Sequence, residues 1–278
     1  MSGPRIDLLA LDLDGTLLAS DKTVSERNAR ALRRVASDGV AVVLVTARPP
    51  RSVRALLRRL ALGPGHAVTI NYNGALTWDA DREEPIEHVP LPADVVRDAS
   101  RLARRLDPGV AVSVETLDRW LTDRVSEQWR VETQNLGGPD HLGPLEGFVD
   151  RDATKLMLLH EPTRLGPIAA AVRAELEGPG RCTLAVSDHH VLQVVAPGVD
   201  KGAALRRFCA RAGIPAQRVM AIGDAPNDAT MVRWAGVGVA VGNAWDELKR
   251  EARLVLERTN DQDAVAHAVD EILGPTGA

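Results

Sequence analysis

Cysteine is scarce in this chain: Cys182 and Cys209 are the only two. Two thiols make no disulfide framework, and each sits among apolar neighbours, as a buried reduced thiol does. Long apolar runs are missing too. No stretch approaches the roughly 18 uninterrupted apolar residues of a membrane span. The opening MSGPRIDLLALDLDG has its apolar run broken by Asp7, Asp12 and Asp14, which is not the form of a signal peptide. No block of one charge sign occurs, and the formal net charge is only -4, so nothing argues for a nucleic-acid or membrane partner. RALLRRL is basic, but Val53, Leu56, Leu57 and Leu60 fall at helical spacing, which reads as a solvated helix face. GVGVAVG contains no GxGxxG and follows a helix, and no Walker-type phosphate loop is present, so a dinucleotide or P-loop site is not expected. A cytoplasmic protein is expected, with no reading of its oligomeric state.

What is present is alternation. The apolar share of 45% supplies a sizeable core, and 278 residues suit about two domains. IDLLALDLD is a near-continuous apolar run, as in a strand buried on both faces. A helix follows, with Ser25 as its cap, Ala29, Leu32, Val35 and Ala36 on one face, and Gly39 as its stop. VAVVLVTAR, a helix after Pro49 and Pro50, and AVTINYNG continue the strand–helix pattern of a parallel α/β sheet. After about residue 80 the pattern changes. DADREEP reads as a linker and NLGGPDHLGPLEG as a loop, and helix–strand–strand occurs twice, which predicts an inserted α+β domain with an antiparallel sheet. The α/β alternation returns after Pro197 with RVMAIGD as another buried strand.

Strands of an open parallel sheet present their carboxyl ends to the ligand crevice. Asp12 and Asp14 close the first strand, Thr46 the second and Asp224 a later one, with Asp228 opening the next helix. Such a set of acids repels itself without a cation, and carboxylates are hard oxygen ligands suited to Mg²⁺. A carboxylate can also attack phosphorus. A second acid two residues away can move the proton of the leaving oxygen, and a lysine and a hydroxyl can neutralise phosphoryl oxygens.

LDLDGTLL is similar to the first motif, DxDGT, of the haloacid dehalogenase superfamily. Thr46 in VLVTAR resembles the second motif, Lys201 in GVDKGAAL the third, and GDAPND, residues 223–228, the fourth. NYNGAL and VGVAVGNAWDELK also resemble segments of the Cof-type phosphatases, and the likeness runs over nearly the whole chain. The resemblance implies a Rossmann-like catalytic core from residues 1–81 and 191–278, and a class II, type B α/β cap over residues 82–190. It implies an Mg²⁺-dependent phosphatase acting on a small phosphorylated metabolite through an aspartyl-phosphate. Carried over by position, Asp12 is the nucleophile and a metal ligand. Asp14 is the general acid/base and a metal ligand through its backbone carbonyl. Asp224 binds the metal directly, and Asp228 directly or through water. Thr46 and Lys201 hold the phosphoryl group, Asn227 faces the phosphate or orders the acidic loop, and Gly15 permits the turn that turns N–H groups towards phosphate. Ala225 departs from the asparagine often found there.

Arg48, directly after the second motif, is a candidate for reaching substrate. In the expected cap, His189 and His190 read as turn residues, while Trp120, Trp129 and Arg124 read as core or surface more readily than as pocket lining. Lys155 resembles a Cof-type cap position, with a surface, snorkelling lysine as the equal alternative. A phosphosugar mutase would use the same core residues, and a phosphometabolite-binding protein would have no use for Asp14.

Overall fold

The computed structural model describes residues 5–126, 137–177, 180–188 and 190–274. In chain order the first elements are β1 (Leu8–Leu11), α1 (Glu26–Ser37), β2 (Ala41–Val45), α2 (Pro50–Leu60), β3 (Val68–Asn71), β4 (Leu76–Asp79) and β5 (Glu84–His88). There follow α3 (Ala93–Leu106), β6 (Ala111–Thr116), β7 (Arg119–Thr122), β8 (His141–Leu142), β9 (Lys155–Leu159), α4 (Pro162–Val172), β10 (Thr183–Asp188) and β11 (Val191–Val195). The last are α5 (Lys201–Ala212), β12 (Val219–Gly223), α6 (Ala229–Trp234), β13 (Val237–Ala240), α7 (Asp246–Glu251), β14 (Leu254–Val255) and α8 (Ala264–Leu273). Contacts divide the chain into two compact units, one of residues 1–47, 53–86 and 200–278, the other of residues 48–52 and 87–199.

The first unit carries an eight-stranded sheet in the order β14-β13-β12-β1-β2-β3-β4-β5. Strands β14 to β3 are parallel, and β4 returns antiparallel to β3. Every residue of β1 and β12 is buried, as central strands covered on both faces require. Helix α1 starts where the sequence signals it: Ser25 Oγ accepts the Asn28 N–H at 3.1 Å, and Ala29, Leu32, Val35 and Ala36 face the core. Helix α5 is capped by the Asp200 carboxylate on the Ala203 N–H and ended by Gly213 in the left-handed region.

The second unit carries a six-stranded sheet, β10-β11-β9-β6-β7-β8, antiparallel except where β7 meets β8. Alternate residues Val112, Val114, Leu156, Leu158, Leu192 and Val194 form its core with α3 and α4. The α/β core with an α+β insert is therefore the fold, with several corrections. The boundaries expected after residues 81 and 190 fall short, because β4 and β5 form a hairpin extending the first sheet and β11 pairs with β9 and β10. DADREEP is thus the turn and start of an edge strand, and the insert runs to Val199. Lys155 is no surface lysine: it is 5% exposed and its ammonium lies 3.0 Å from the Glu115 carboxylate. Trp120 is core, its Nε1 donating to Ser113 Oγ at 2.6 Å, and Arg124 is exposed and bonded to the Gly109 carbonyl. Trp129 and His189 lie outside the described residues, while His190 is half-buried and its carbonyl accepts the His160 N–H. Cys182 and Cys209 are free and buried, and burial pushes both thiols up to about 11. Among the described residues no helix is long and apolar enough to cross a membrane.

Candidate active site

The carboxyl ends of β1, β2 and β12 bring the acids together. Parallel register sets Leu11 beside Leu44 on one side and Ile222 on the other. Asp12, one residue past β1, donates its backbone N–H to the Ile222 carbonyl at 3.0 Å. Asp12, Asp224 and Asp228 then offer carboxylate oxygens that all lie within 4.8 Å of one another. Into this group projects Lys201, the first residue of α5. Its ammonium lies 2.6 Å from Asp12 Oδ1 and 2.6 Å from Asp228 Oδ1, and it is 1% exposed.

The loops hold these groups tightly. Asp228 Oδ2 accepts the backbone N–H groups of Asp224 and Ala225, each at 3.0 Å, so one carboxylate both faces Lys201 and closes the acidic loop. Ala225 takes part through its backbone, its N–H donating to Asp228 Oδ2 and its carbonyl accepting the Asp228 N–H at 2.9 Å. Gly15 has φ +80, and a Cβ there would stand 2.3 Å from Asp224 Oδ2. Only a residue without a side chain lets the turn after Asp14 lie against that carboxylate. Thr16, fully buried, donates its hydroxyl to Asp224 Oδ1 at 3.1 Å. Thr46 is buried at the end of β2; its N–H donates to the Ile70 carbonyl and its own carbonyl accepts from Asn73. Asn73, itself at φ +55, accepts from Asn227 Nδ2 at 3.0 Å. Asn227 therefore ties the acidic loop to the NYNG turn. That turn in turn packs on the start of α5, since a Cβ at Gly74 (φ +104) would stand 2.4 Å from the Asp200 carbonyl oxygen.

Electrostatics follow from three acids sharing one ammonium out of water. Burial, then the Asp228 charge, push the Asp12 carboxyl up to about 8 against the pull of Lys201. Burial, then Asp228, raise Asp224 to about 6, while the Thr16 hydroxyl works the other way. Burial alone would pull Lys201 down, but Asp12 and Asp228 overcome it and hold the ammonium above the ordinary lysine range. A site that resists ionisation of its own carboxylates has room electrostatically for a further cation. The donor set, all hard carboxylate oxygen, fits Mg²⁺.

Of the residues singled out in the sequence, Asp12, Thr46, Lys201, Asp224, Asn227 and Asp228 all lie at these strand and helix ends. The Asp14 carboxylate stands outside the three-acid group, half-exposed, with Lys22 Nζ 2.7 Å away. Arg48 groups with the second unit. Sequence reasoning gave no role to Thr16, Lys22, Asn73, Asn243 or Asn260. The signal available for Asn73 and Asn243 was that NYNGAL and VGNA match family segments without any assigned chemistry.

A family model described as haloacid dehalogenase-like hydrolase matches residues 9–269. The Bacillus subtilis 5-amino-6-(5-phospho-D-ribitylamino)uracil phosphatase YitU is 29% identical over 276 residues, 95% of this chain and 96% of that protein. The 5-amino-6-(5-phospho-D-ribitylamino)uracil phosphatase YcsE of the same bacterium is 31% identical over 266 residues, 95% of this chain and 94% of that one. The crystal structure of a haloacid dehalogenase-like hydrolase from Bacteroides thetaiotaomicron superposes with a TM-score of 0.85 at 28% identity, over 96% of this chain and 100% of that one. Fold and relatives together define a phosphoric monoester hydrolase. Within that class the chain belongs to the haloacid dehalogenase-like hydrolases, in their Cof-type branch.

Proposed function

We propose that this protein is a cytoplasmic, Mg²⁺-dependent phosphatase that releases phosphate from a small phosphorylated metabolite, a sugar phosphate or a related compound, through an aspartyl-phosphate on Asp12. The observation that carries this is the buried Lys201 ammonium, 2.6 Å from both Asp12 and Asp228, with Asp224 completing the acid group. Asp12, Asp224, Asp228 and the backbone carbonyl of Asp14 would hold the metal, which would supply charge neutralisation for the approach of a carboxylate to an anionic phosphoryl group.

Asp12 attacks phosphorus, so an Asp12 Oδ–P bond forms as the bond from phosphorus to the leaving oxygen breaks. Asp14 gives its proton to that oxygen. Asp14 then takes a proton from water, the water oxygen bonds to phosphorus, and the Asp12–phosphorus bond breaks to release phosphate. Lys201 and Thr46 neutralise and hold phosphoryl oxygens. Gly15 keeps the turn open towards them, and Asn227 orders the acidic loop by its bond to Asn73. The second unit acts as the cap that reads the leaving group, with Arg48 contributing to that reading.

The test is hydrolysis of an aryl phosphate with Mg²⁺, with EDTA, and in Asp12→Asn. Turnover is expected only in the wild type with metal, and full activity in Asp12→Asn would sink the mechanism. A panel of phosphorylated metabolites that includes 5-amino-6-(5-phospho-D-ribitylamino)uracil, scored by released phosphate, then identifies the substrate.

A further inference from the structure

The turn that carries Asp14 is held from outside by two asparagines. Asn243, in the VGNA segment after β13, donates its Nδ2 to the Gly15 carbonyl at 2.7 Å. Its other amide atom, Oδ1, accepts the backbone N–H of Asn260 at 2.8 Å. Asn260 in turn donates its Nδ2 to the Leu18 carbonyl at 2.9 Å. Gly15 and Leu18 bracket the turn, which is closed on itself by the Leu18 N–H on the Leu13 carbonyl and by a bridge between Asp14 and Leu18. Next along, Asp261 accepts from both the N–H and the hydroxyl of Ser20, each at 2.7 Å. The loop bearing Asn243 reaches the other half of the site as well: the Trp245 N–H donates to the Asp224 carbonyl at 2.8 Å, and the Val241 N–H to that of Gly223.

Asn243 is exposed and adds nothing to the apolar core. Both ends of its amide are nevertheless committed to backbone groups far away in sequence. We propose that Asn243, linked to Asn260, is a positioning residue for the phosphatase reaction. On this reading, which rests on the function proposed above, it fixes the Gly15 turn against Asp224 so that Asp12 and Asp14 keep one geometry relative to the acidic loop. The reason it matters is steepness: displacing reacting groups by about 1 Å can cost on the order of a hundredfold in rate. The brace also couples the segment 259–263, at the start of α8, to the catalytic turn.

The experiment uses the full chain with Asn243→Asp and Asn243→Ala. The aspartate keeps shape and the acceptor facing Asn260 but cannot donate to Gly15; the alanine loses both bonds without adding charge. Both are expected to lower kcat on an aryl phosphate by about tenfold or more with KM nearly unchanged. Both are also expected to speed amide hydrogen exchange in residues 13–20, with a thermal midpoint close to wild type. Wild-type kcat in either variant, or a loss carried by KM, overturns the proposal, as does unchanged exchange in that segment. Should the wild type itself release no phosphate, the phosphatase reading fails, and the exchange measurement alone then decides the brace.

Discussion

Lys201 and Asp12 meet through a 2.6 Å bond between an ammonium and a carboxylate that are both almost wholly out of water. The same ammonium holds Asp228, so one positive charge stands against three acids. Lys201→Met leaves those acids uncompensated. Breaking a buried ion pair from one side costs about 3–5 kcal/mol, to be read as a lower urea midpoint in EDTA. Mg²⁺ is expected to restore part of that stability, because it supplies charge to the same oxygens. Activity with Mg²⁺ is expected to fall by about a hundredfold or more. A variant with wild-type kcat would remove Lys201 from phosphate handling.

The raised acids give the metal-free protein a pH dependence of definite sign. Asp12 titrates near 8 and Asp224 near 6 in the folded chain, against 3.8 for the free carboxyl. Between those values the folded state binds more protons than the unfolded one, so stability is full below the unfolded value and is lost as pH rises through the folded ones. In EDTA the thermal midpoint is therefore expected to fall from pH 6 to pH 8.5. Mg²⁺ binds the ionised carboxylates, so its stabilising effect grows over the same range. His66 and His88, both lowered by burial, contribute equally with and without metal and cancel in the difference. Asp12→Asn is expected to flatten the slope; an unaltered slope would place its origin elsewhere.

Gly15→Ala tests the turn directly. The left-handed backbone at φ +80 costs a residue with a side chain about 1–2 kcal/mol, and the added methyl would meet Asp224 Oδ2 at 2.3 Å. The Asp224 carboxylate is expected to move, raising the Mg²⁺ concentration for half-maximal activity by about tenfold, the equivalent of about 1.4 kcal/mol. A magnesium titration at saturating substrate reads this, and an unshifted midpoint would show that Asp224 tolerates displacement.

How far the sequence carried the reading depended on the kind of interaction. Strand β1 was legible because LLAL is buried on both faces and ends in acids, and β12 ends the same way. Hydrophobic pattern alone therefore placed Asp12 and Asp224 on one edge of a sheet. Lys201 was legible only through family likeness, since a lysine opening a helix reads as solvated. Its burial comes from Asp12 and Asp228, 189 and 27 positions away. Thr16, Asn243 and Asn260 were invisible for the same reason: their bonds to Asp224, Gly15 and Leu18 span 208, 228 and 242 positions, and apolar spacing says nothing about such polar contacts. Strand β5 was missed because it is an edge strand with mostly exposed residues, Glu84 to Ile86, and no alternation.

Lys155 is a second lysine buried against a surface reading, and register explains it. Strands β6 and β9 are antiparallel neighbours with Glu115 directly opposite Lys155. The pair lies 3.0 Å apart with Glu115 fully buried. Lys155→Met strands a buried carboxylate and is expected to cost about 3–5 kcal/mol in urea unfolding. Adding Glu115→Leu removes the stranded charge, so the double variant is expected to regain most of the loss, since well-packed apolar replacements of buried pairs are often neutral or better. Phosphate release across a metabolite panel supplies the second readout. A double variant that recovers stability and keeps its substrate preference makes the pair purely structural. One that recovers stability and loses preference assigns the pair to the reading of the leaving group, and one that stays as unstable as Lys155→Met refutes the stranded-charge account.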